Sequence, residues 1–530
     1  MPLFFSIAPI VLLIWMMTKR HGIPSFIALP LTAAMVYFIQ LFWFGTQLTL
    51  LHANIVTALI SVFTPITIIL GAILLNKLMQ ISGSENVVRN WLENISPNPV
   101  AQLMIIGWAF AFMIEGASGF GTPAAIAAPI LVGLGFNPLR VALLALVMNS
   151  VPVSFGAVGT PTWFGFTNLG LSDDSLLDIG RLSALIHFIA GFVIPLLALR
   201  FIVSWQEIRQ NILFIFLSIL SCSVPYLLLA QINYEFPALV GGAIGLALSV
   251  LLARLRIGIK REENHEERTN SGQVVPFHHV IKAMLPTLLL IGILIVTRIH
   301  QLGIKAWLNS AEINWQWHLG WLGNLSVSKS FVISLQQVLG TTASASYKTL
   351  YVPAIIPFLL VVLVCIPLFQ LNRHQVKQMF RETGARISKP FIALLGALVM
   401  VNMMMLGNEN APVIIIGKAL AAMTGESWLL FSSFLGALGS FFSGSNTVSN
   451  LTFGGIQYSI ALNNGMNVNL MLALQSVGGA MGNMICLNNI IAVCSILGIT
   501  HAEGQIMKKT ILPMLVYGGI AAVMALILAS

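Results

Sequence analysis

The sequence predicts an all-α, polytopic integral membrane protein with about 12–14 membrane elements, built as two inverted repeats with broken or re-entrant helices. Three observations predict this class. Of the 530 residues, 57% are apolar and 8% are charged, whereas a soluble domain has about 25% charged residues. Apolar runs of roughly 17–25 residues, long enough to cross a bilayer as helices, recur along the chain. Gly, Pro, Ser and Asn interrupt several of these runs.

The composition also excludes several classes of protein. Too few charged residues remain to cover a water-facing surface, so a soluble enzyme and a disordered scaffold are excluded. The net charge of +9 indicates orientation in a membrane, because Lys and Arg accumulate in cytoplasmic loops, and it implies no nucleic-acid partner. The four cysteines lie singly in apolar stretches and are interpreted as inert buried thiols. We expect neither a metal site nor a cofactor.

Basic residues mark the ends of the predicted spans. The first apolar run precedes Lys19-Arg20-His21, so it is interpreted as a retained helix with its N-terminus outside, not as a secretory signal. The chain then divides into an N-terminal repeat (1–253), a cytoplasmic central loop (254–278) and a C-terminal repeat (279–530), and the basic segment 372–389 is also predicted to be cytoplasmic. The predicted spans are 2–17, 24–44, 54–76, 100–118, 139–158, 182–202, 211–230, 236–253, 279–299, 350–371, 390–406, 428–442, 468–497 and 510–529.

A mixed stretch separates two of the later spans. Within Trp307–Lys348, the segment Asn309–Gly340 carries Trp315, Trp317 and Trp321 among polar residues. Tryptophan accumulates where a membrane meets water. The stretch is therefore predicted to be an external interfacial loop in contact with the lipid bilayer, not a binding site.

Two apolar regions contain small polar residues at membrane depth, Met113–Pro138 and Phe441–Gly465. Each is followed by an apolar helix and a second polar cluster, at 147–165 and 474–494. The two regions match at a nearly constant offset: Ser118-Gly119 with Ser443-Gly444, Thr122 with Thr447, Asn137 with Asn463, and Ser150-Val151 with Ser476-Val477. Paired interruptions of this kind predict a repeat-built secondary transporter with its site at the interrupted helices.

Uncharged groups must supply the polar chemistry of these regions. The segment Trp428–Thr500 contains no Asp, Glu, Lys, Arg or His, and Ala101–Gly165 contains only Glu115 and Arg140. Helix N-termini at the two breaks would attract an anion without a formal positive charge. Hydrogen bonds to a charged group contribute roughly 1.5–3 kcal/mol each. Three or four such bonds offset the desolvation of one carboxylate, which favours a monocarboxylate over a tricarboxylate.

The start of each half-helix carries residues that can cap it. Thr122-Pro123 is typical of an N-cap followed by proline at the first helical position, and Ser445, Asn446 or Thr447 can cap the second half-helix. These small polar residues either bind a substrate or permit close helix packing, and their contiguous clustering favours binding. The candidate substrate-binding residues are Ser118, Gly119, Phe120, Gly121, Thr122, Asn149, Ser154, Ser443, Gly444, Ser445, Asn446, Thr447, Gln475, Asn483 and Asn488.

Two titratable residues are candidates for proton handling. Glu115 is the candidate proton-coupling group, because intramembrane carboxylates usually have a function and burial favours the neutral carboxyl. The alternative is that Glu115 caps backbone amides of the glycine-rich break. His187 lies in a predicted span and can relay protons, but it is interpreted as a packed neutral histidine.

The interrupted regions resemble the lactate permease family of secondary transporters, over nearly the full chain. Glu115–Pro123 is similar to the glutamate–glycine-rich signature of the family, and Asn149–Gly159 resembles its second block. Gly444–Asn450 and Gly482–Cys486 resemble its C-terminal blocks, and the Ser-Asn-Thr triplet also resembles hairpin tips in the wider ion-transporter superfamily. The resemblance implies proton-coupled uptake of L-lactate, D-lactate and glycolate across a bacterial inner membrane.

The chain departs from the family pattern at three positions and in the segment Met403–Asn410. Some members carry Asp where Asn446 stands and Lys where Asn483 stands, so this chain matches an uncharged variant, and Asn488 occupies a place where that variant often has His. These departures leave open the preferred 2-hydroxy acid and the proton route. A sodium-coupled di- or monocarboxylate carrier is the main alternative. A membrane enzyme would need converging His, Asp, Glu or Cys side chains, and an anion channel would conduct faster than a carrier.

Overall fold

The computed structural model describes residues 1–18, 23–119, 122–260, 275–298, 302–310, 312–352, 354–499 and 502–529. The helices are α1 Pro2–Thr18, α2 Ser25–Phe42, α3 Leu48–Ser61, α4 Phe63–Ile81, α5 Ser84–Glu93, α6 Pro99–Gln102, α7 Ala111–Ser118, α8 Thr122–Gly133, α9 Pro138–Met148, α10 Gly156–Trp163, α11 Asp173–Ala190, α12 Ile194–Leu199, α13 Trp205–Gln210, α14 Ile212–Ala230, α15 Pro237–Arg254, α16 Phe277–Arg298, α17 Ile304–Leu308, α18 Leu360–Leu368, α19 Arg373–Arg386, α20 Ser388–Met404, α21 Pro412–Thr424, α22 Trp428–Ser443, α23 Asn446–Asn463, α24 Val468–Gly482, α25 Leu487–Leu497 and α26 Glu503–Ala529. The strands are β1 Ile313–His318, β2 Asn324–Ser328, β3 Val332–Gln336 and β4 Ala345–Lys348. A π-helix, Leu103–Phe110, joins α6 to α7.

The prediction of a helical, multi-span membrane protein is confirmed. Within the described residues, ten helical runs are long and apolar enough to cross a membrane, or up to eleven if a bent pair counts as one span. The bent pair consists of Pro138–Met148 and Pro152–Leu169, which meet at 60°. Shorter apolar helices occur at Pro2–Met17 and Ile355–Leu368. Most observed spans begin and end within a few residues of the predicted ones, because apolar periodicity and basic flanking residues define them locally.

The chain divides into two compact units. The first contains Met1–Ser84 and Met284–Met423, and the second contains Glu85–Ala283 and Thr424–Ser530. Each unit therefore combines segments from both predicted sequence halves. The relation of those halves as inverted repeats stays a prediction. Lys19-Arg20-His21 and most of the predicted central loop, 261–274, lie outside the described residues.

The stretch that the sequence analysis predicts to be an external loop contains a small sheet in the first unit. Four antiparallel strands follow one another in the order β1-β2-β3-β4. Leu335 and Val338 pack with Ala53 of α3, which anchors the sheet to the helices of this unit. Trp315 and Trp317 lie exposed on the edge strand β1. The strands were not predicted because the tryptophans were weighed and the alternation of apolar and polar residues in Asn324–Ser328 was not.

Two polar contacts hold helices of the first unit together. The Lys77 ammonium on α4 pairs with the Glu382 carboxylate on α19 at 2.7 Å. On α2, Gln40 Nε2 donates to the Met403 carbonyl of α20 at 2.6 Å. Both contacts join segments that are far apart in the sequence, so they fix the pairing of those helices.

Glycines bring helices of the second unit into backbone contact. A Cβ added to Gly478 on α24 would lie 1.9 Å from the Ser433 carbonyl oxygen of α22, and one added to Gly482 would lie 2.3 Å from the Ala437 carbonyl oxygen. On α7, a Cβ at Gly116 would lie 2.1 Å from the Leu239 nitrogen of α15. Some small residues of the interrupted regions therefore serve helix packing, the alternative that the sequence analysis weighed.

Gly478→Ala is expected to destabilise the second unit. The added methyl group meets a backbone oxygen, which cannot rotate away, and overpacking of this kind costs about 1–3 kcal/mol or more. The apparent Tm of the detergent-solubilised protein should fall by several degrees. Gly519→Ala on α26 is the matched control, because no atom of another described segment lies within 4 Å of the added Cβ, and it should leave the Tm unchanged. Equal Tm values for the two variants would contradict the packing role of Gly478.

Candidate functional site

The first predicted break lies at the end of α7. The helix ends at Ser118, and Gly119 has φ 57° and ψ −154°, a conformation open to glycine and costly for other residues. The Gly119 N–H donates to the Glu115 carbonyl at 2.9 Å. The chain resumes as α8 at Thr122, whose side chain is not among those described, and Phe120 and Gly121 lie outside the described residues. The prediction of an interrupted helix is confirmed here.

The second predicted break joins α22 to α23. Gly444 has φ 71° and ψ 18°, the left-handed conformation that ends a helix. Ser445 caps the next helix, since its Oγ accepts a hydrogen bond from the Val448 N–H at 3.4 Å. Of the three residues predicted to be able to cap α23, the structure therefore selects Ser445. Asn446 and Thr447 occupy the first turn, where backbone N–H groups have no partner within the helix.

A third interruption follows α9. Ala157, Val158 and Gly159 all have positive φ values, 45°, 56° and 69°. Left-handed backbone costs about 1–2 kcal/mol per non-glycine residue. Surrounding contacts hold this turn in place: Trp163 Nε1 donates to the Val158 carbonyl at 3.0 Å, and a Cβ at Gly159 would lie 2.1 Å from the Tyr234 carbonyl oxygen.

The two regions share one order of elements. In each, a helix, a break at a positive-φ glycine, a second helix, a loop, a third helix and a second interruption follow one another. Asn137 caps α9 and Asn467 caps α24, each accepting from a backbone N–H three residues on. The structural counterpart of Asn137 is therefore Asn467, and the match with Asn463 at the constant offset is wrong. The offset changes because α23 has 18 residues and α8 has 12.

The breaks of the second unit surround one small cavity of about 20 Å³. The candidates that line it are Glu115, Gly119, Gly444, Ser445, Asn446, Thr447 and Asn483. Four further lining residues were missed by the sequence analysis, namely Val153, Gly156, Ala157 and Pro161. Those four lie in the predicted second polar cluster, and their small or rigid side chains gave no chemical signal of their own.

Glu115 is the only ionisable residue among the described residues that line this cavity. It is 2% exposed. Asn149 Nδ2 donates to its Oε2 at 3.1 Å. A Cβ at Gly156 would lie 2.4 Å from Oε1, so a side chain at this position would displace the carboxyl group. Asn149 Oδ1 is buried without a hydrogen-bond partner in the structure.

Asn446 is connected to a buried polar chain behind the cavity. Its Nδ2 donates to the Ser476 carbonyl at 3.0 Å and lies 3.5 Å from Ser154 Oγ. Ser154 Oγ is 2.8 Å from His187 Nε2, and the other ring nitrogen of His187 hydrogen bonds to the Tyr517 hydroxyl. Ser154, His187 and Ser476 are fully buried. These residues come from distant parts of the chain, so no local sequence pattern connects them.

The remaining described candidates do not line the cavity. Ser118 and Ser443 bond to carbonyls of their own helices, Ile114 and Gly439. Gln475 Nε2 donates to Ser449 Oγ at 3.0 Å in a buried amide network with Gln457. Asn488 is exposed. Substrate binding by these residues stays a prediction.

Within the described ranges, no cluster of three or more His, Cys, Asp or Glu side chains has the geometry to hold a metal ion. Cys222, Cys365, Cys486 and Cys494 are buried free thiols. The polar groups at the cavity are hydroxyls, amides, backbone groups and one carboxyl group, a set suited to holding an organic anion.

Comparison with known proteins gives one consistent result. A family model described as L-lactate permease matches residues 3–530. A Haemophilus influenzae protein is 59% identical over 523 residues, which cover 99% of this chain and 98% of that protein. The L-lactate permease of Bacillus subtilis is 28% identical, covering 84% of this chain and 81% of its own. The glycolate permease of Escherichia coli is 26% identical, covering 87% and 83%.

Proposed function

The chain belongs to the L-lactate permease family, and from this premise we propose that it imports L-lactate, D-lactate and glycolate by proton symport. It is a multi-pass membrane permease and not an enzyme. Its substrate is a small carboxylate. The proposed setting is a bacterial inner membrane with the N-terminus outside, and the basic residues that follow the first span support this orientation.

The observation that carries the proposal is the meeting of interrupted segments around one cavity. Gly119 comes from the first break, Gly444 and Ser445 come from the second, and Ala157 comes from the left-handed turn. Unpaired backbone N–H groups at the start of α23 and the partial positive charge of the helix N-terminus both favour an anion. This arrangement supports a site in which Gly119–Thr122 and Ser445–Thr447 hold the carboxylate group.

The charge of the cavity supports coupling to a proton. Among the described residues that line it, no cationic side chain balances Glu115. Two like charges about 4 Å apart repel by about 4 kcal/mol at an effective dielectric constant of 20. A carboxylate substrate and an ionised Glu115 therefore disfavour each other, so binding of the substrate favours the protonated Glu115. A proton and a monocarboxylate would then cross together.

The names of the relatives support small 2-hydroxy acids as the substrates. Lactate and glycolate both carry a carboxylate with an adjacent hydroxyl group, and they differ by one methyl group. Asn149 and Asn483 lie beside Glu115 and in the cavity wall, respectively. We assign the 2-hydroxyl group to these amides and neighbouring serines. The small size of the cavity favours such small acids over a tricarboxylate.

Uptake into proteoliposomes tests the function. The purified protein is reconstituted, and uptake of labelled L-lactate, D-lactate and glycolate is measured with acid outside, with no gradient, and with a sodium gradient. Pyruvate, succinate and citrate serve as competitors that lack the 2-hydroxyl group or carry more charges. With acid outside, the three 2-hydroxy acids should accumulate above equilibrium, and succinate and citrate should compete weakly.

Each alternative gives a different result in the same assay. Accumulation driven by sodium and not by the pH gradient would replace proton symport with sodium symport. Preferred uptake of succinate would indicate a dicarboxylate carrier. Currents far above carrier turnover in planar bilayers would indicate a channel. Failure of all three 2-hydroxy acids to enter would refute the proposed substrate class.

A further inference from the structure

A chain of buried hydrogen bonds leads from Tyr517 on α26 to Asn446 at the cavity. It passes through His187 on α11 and Ser154, and it includes Ser476 on α24. All five groups belong to the second unit. None of the proposed transport steps uses His187, Ser476 or Tyr517. This series of hydrogen bonds nevertheless ends at the Asn446 amide, which the proposed function assigns to the substrate carboxylate.

The hydroxyl of Ser154 has more potential hydrogen-bond partners than it can bond at the same time. It lies 2.8 Å from His187 Nε2, 3.0 Å from Ser476 Oγ, 3.2 Å from the Ser476 carbonyl and 3.5 Å from Asn446 Nδ2. A serine hydroxyl donates one hydrogen bond and accepts two. The hydroxyl of Ser476 donates to Ser154 and occupies one lone pair. His187 and Asn446 therefore compete for the remaining hydrogen-bonding capacity of the Ser154 hydroxyl, which is its one hydrogen and its second lone pair.

The position of the hydrogen on the neutral imidazole decides how that capacity is used. If His187 carries it on Nδ1, it donates to Tyr517, and Ser154 donates to Nε2 and keeps a lone pair for Asn446. If His187 carries it on Nε2, Tyr517 donates to Nδ1, His187 donates to Ser154, and Ser154 donates to the Ser476 carbonyl. Both lone pairs of Ser154 are then filled. Asn446, whose contact is the longest at 3.5 Å, loses this acceptor.

We propose that His187 is a positioning residue of the substrate site: by donating from Nε2 to Ser154, it releases one amide hydrogen of Asn446 to the substrate carboxylate. The Ser476 carbonyl, 3.0 Å from Nδ2, remains the acceptor of the second amide hydrogen as the amide turns towards the cavity. The inference rests on the proposed function, because it gives Asn446 a carboxylate to bind. It requires no charge on His187.

The surroundings of His187 suit a neutral relay. The elements packed against α11 are α24, α14, α26, α10 and the turn Pro152–Phe155. From these elements, the titratable side chains in contact with the imidazole, among those described, are Tyr517 through its hydroxyl and Tyr226 through an edge-on ring contact at 6.4 Å. Neither is charged in its ordinary form, so no charged side chain among the described residues contacts the ring to stabilise an imidazolium ion.

A double-mutant cycle tests the role of His187. The KM for lactate is measured by counterflow exchange without a pH gradient, so the readout does not depend on proton coupling. His187→Phe keeps an aromatic ring but cannot donate, and it should raise KM by about 10-fold, the equivalent of about 1.4 kcal/mol, with a smaller change in kcat. Ser154→Ala removes the competing acceptor and sets a new reference KM. In that background, His187→Phe should change KM by less than about 2-fold.

Three further variants separate positioning from simple packing. His187→Gln retains an N–H donor and should restore most of the affinity lost in His187→Phe. Tyr517→Phe removes the donor to Nδ1 and should raise KM only when Ser154 is present, which gives a second route if His187→Phe does not fold. Ser183→Ala, a buried serine one turn earlier on α11, is the control and should leave KM unchanged.

The outcomes distinguish this inference from the proposed function. Equal increases of KM for His187→Phe or Tyr517→Phe with and without Ser154 would show a structural role and overturn the inference. So would an unchanged KM for both variants in the presence of Ser154. If the unmodified protein shows no lactate exchange at all, the proposed function itself fails. A KM that rises in His187→Phe when Ser154 is present, and stays nearly unchanged when Ser154 is replaced by Ala, supports the positioning role.

Discussion

Glu115→Gln is expected to abolish accumulation of lactate against its gradient while leaving exchange of lactate intact. Gln keeps the shape of the carboxyl group and can still accept the hydrogen bond that Asn149 donates at 3.1 Å. It cannot release a proton. For one proton per lactate, a gradient of one pH unit supports at most about 10-fold accumulation. That ratio should fall to about 1 in the variant, as measured at steady state in proteoliposomes with acid outside.

A second buried carboxylate provides the control for this experiment. Glu235 is 3% exposed and belongs to the same unit, but it does not line the cavity. Glu235→Gln should retain proton-driven accumulation. If Glu115→Gln still concentrates lactate as the unmodified protein does, Glu115 is not the coupling group. Loss of exchange together with accumulation would instead indicate that Glu115 shapes the glycine-rich break.

Asn446→Ala is expected to raise the KM for lactate by about 10- to 100-fold. The substitution removes an amide that lines the cavity at the start of α23, and a hydrogen bond to a charged group contributes roughly 1.5–3 kcal/mol. It also removes the donor to the Ser476 carbonyl, but the cap of α23 by Ser445 remains. Counterflow exchange at several lactate concentrations measures the KM.

An asparagine at the far end of the same helix is the matched control. Asn463 Nδ2 donates to the Ser459 carbonyl at 2.7 Å within α23, and Asn463 does not line the cavity. Asn463→Ala should therefore leave the KM close to that of the unmodified protein. An unchanged KM in Asn446→Ala, with normal amounts of folded protein, would remove Asn446 from the site.

Several parts of the site could be predicted because their signals are local. Glu115 stands alone as an acid in a long apolar run, and intramembrane carboxylates are rare. Gly119 and Gly444 lie in clusters of small polar residues that no continuous apolar helix would contain. The structure confirms an interruption at both glycines, since each has a positive φ. The cap of α23 by Ser445 follows from a short-range preference as well.

Other parts could not be predicted because similar residues have different surroundings. Asn446, Gln475 and Asn488 look alike as amides beside small residues, yet the first lines the cavity, the second lies in a buried network and the third is exposed. Gly478 and Gly444 belong to similar clusters, but one packs against α22 and the other ends it. Only the path of neighbouring helices separates these roles.

Composition, apolar periodicity and the placement of helix-breaking residues were thus sufficient for a multi-span helical permease with interrupted helices. These properties act over one or two helical turns or over the thickness of the bilayer, so a sequence displays them directly. The tertiary structure alone decided that the interruptions meet at one cavity and that His187 reaches Asn446 through Ser154. Hydrogen bonds of that kind depend on positions to within a few tenths of an ångström between segments hundreds of residues apart, and no local pattern encodes such a distance.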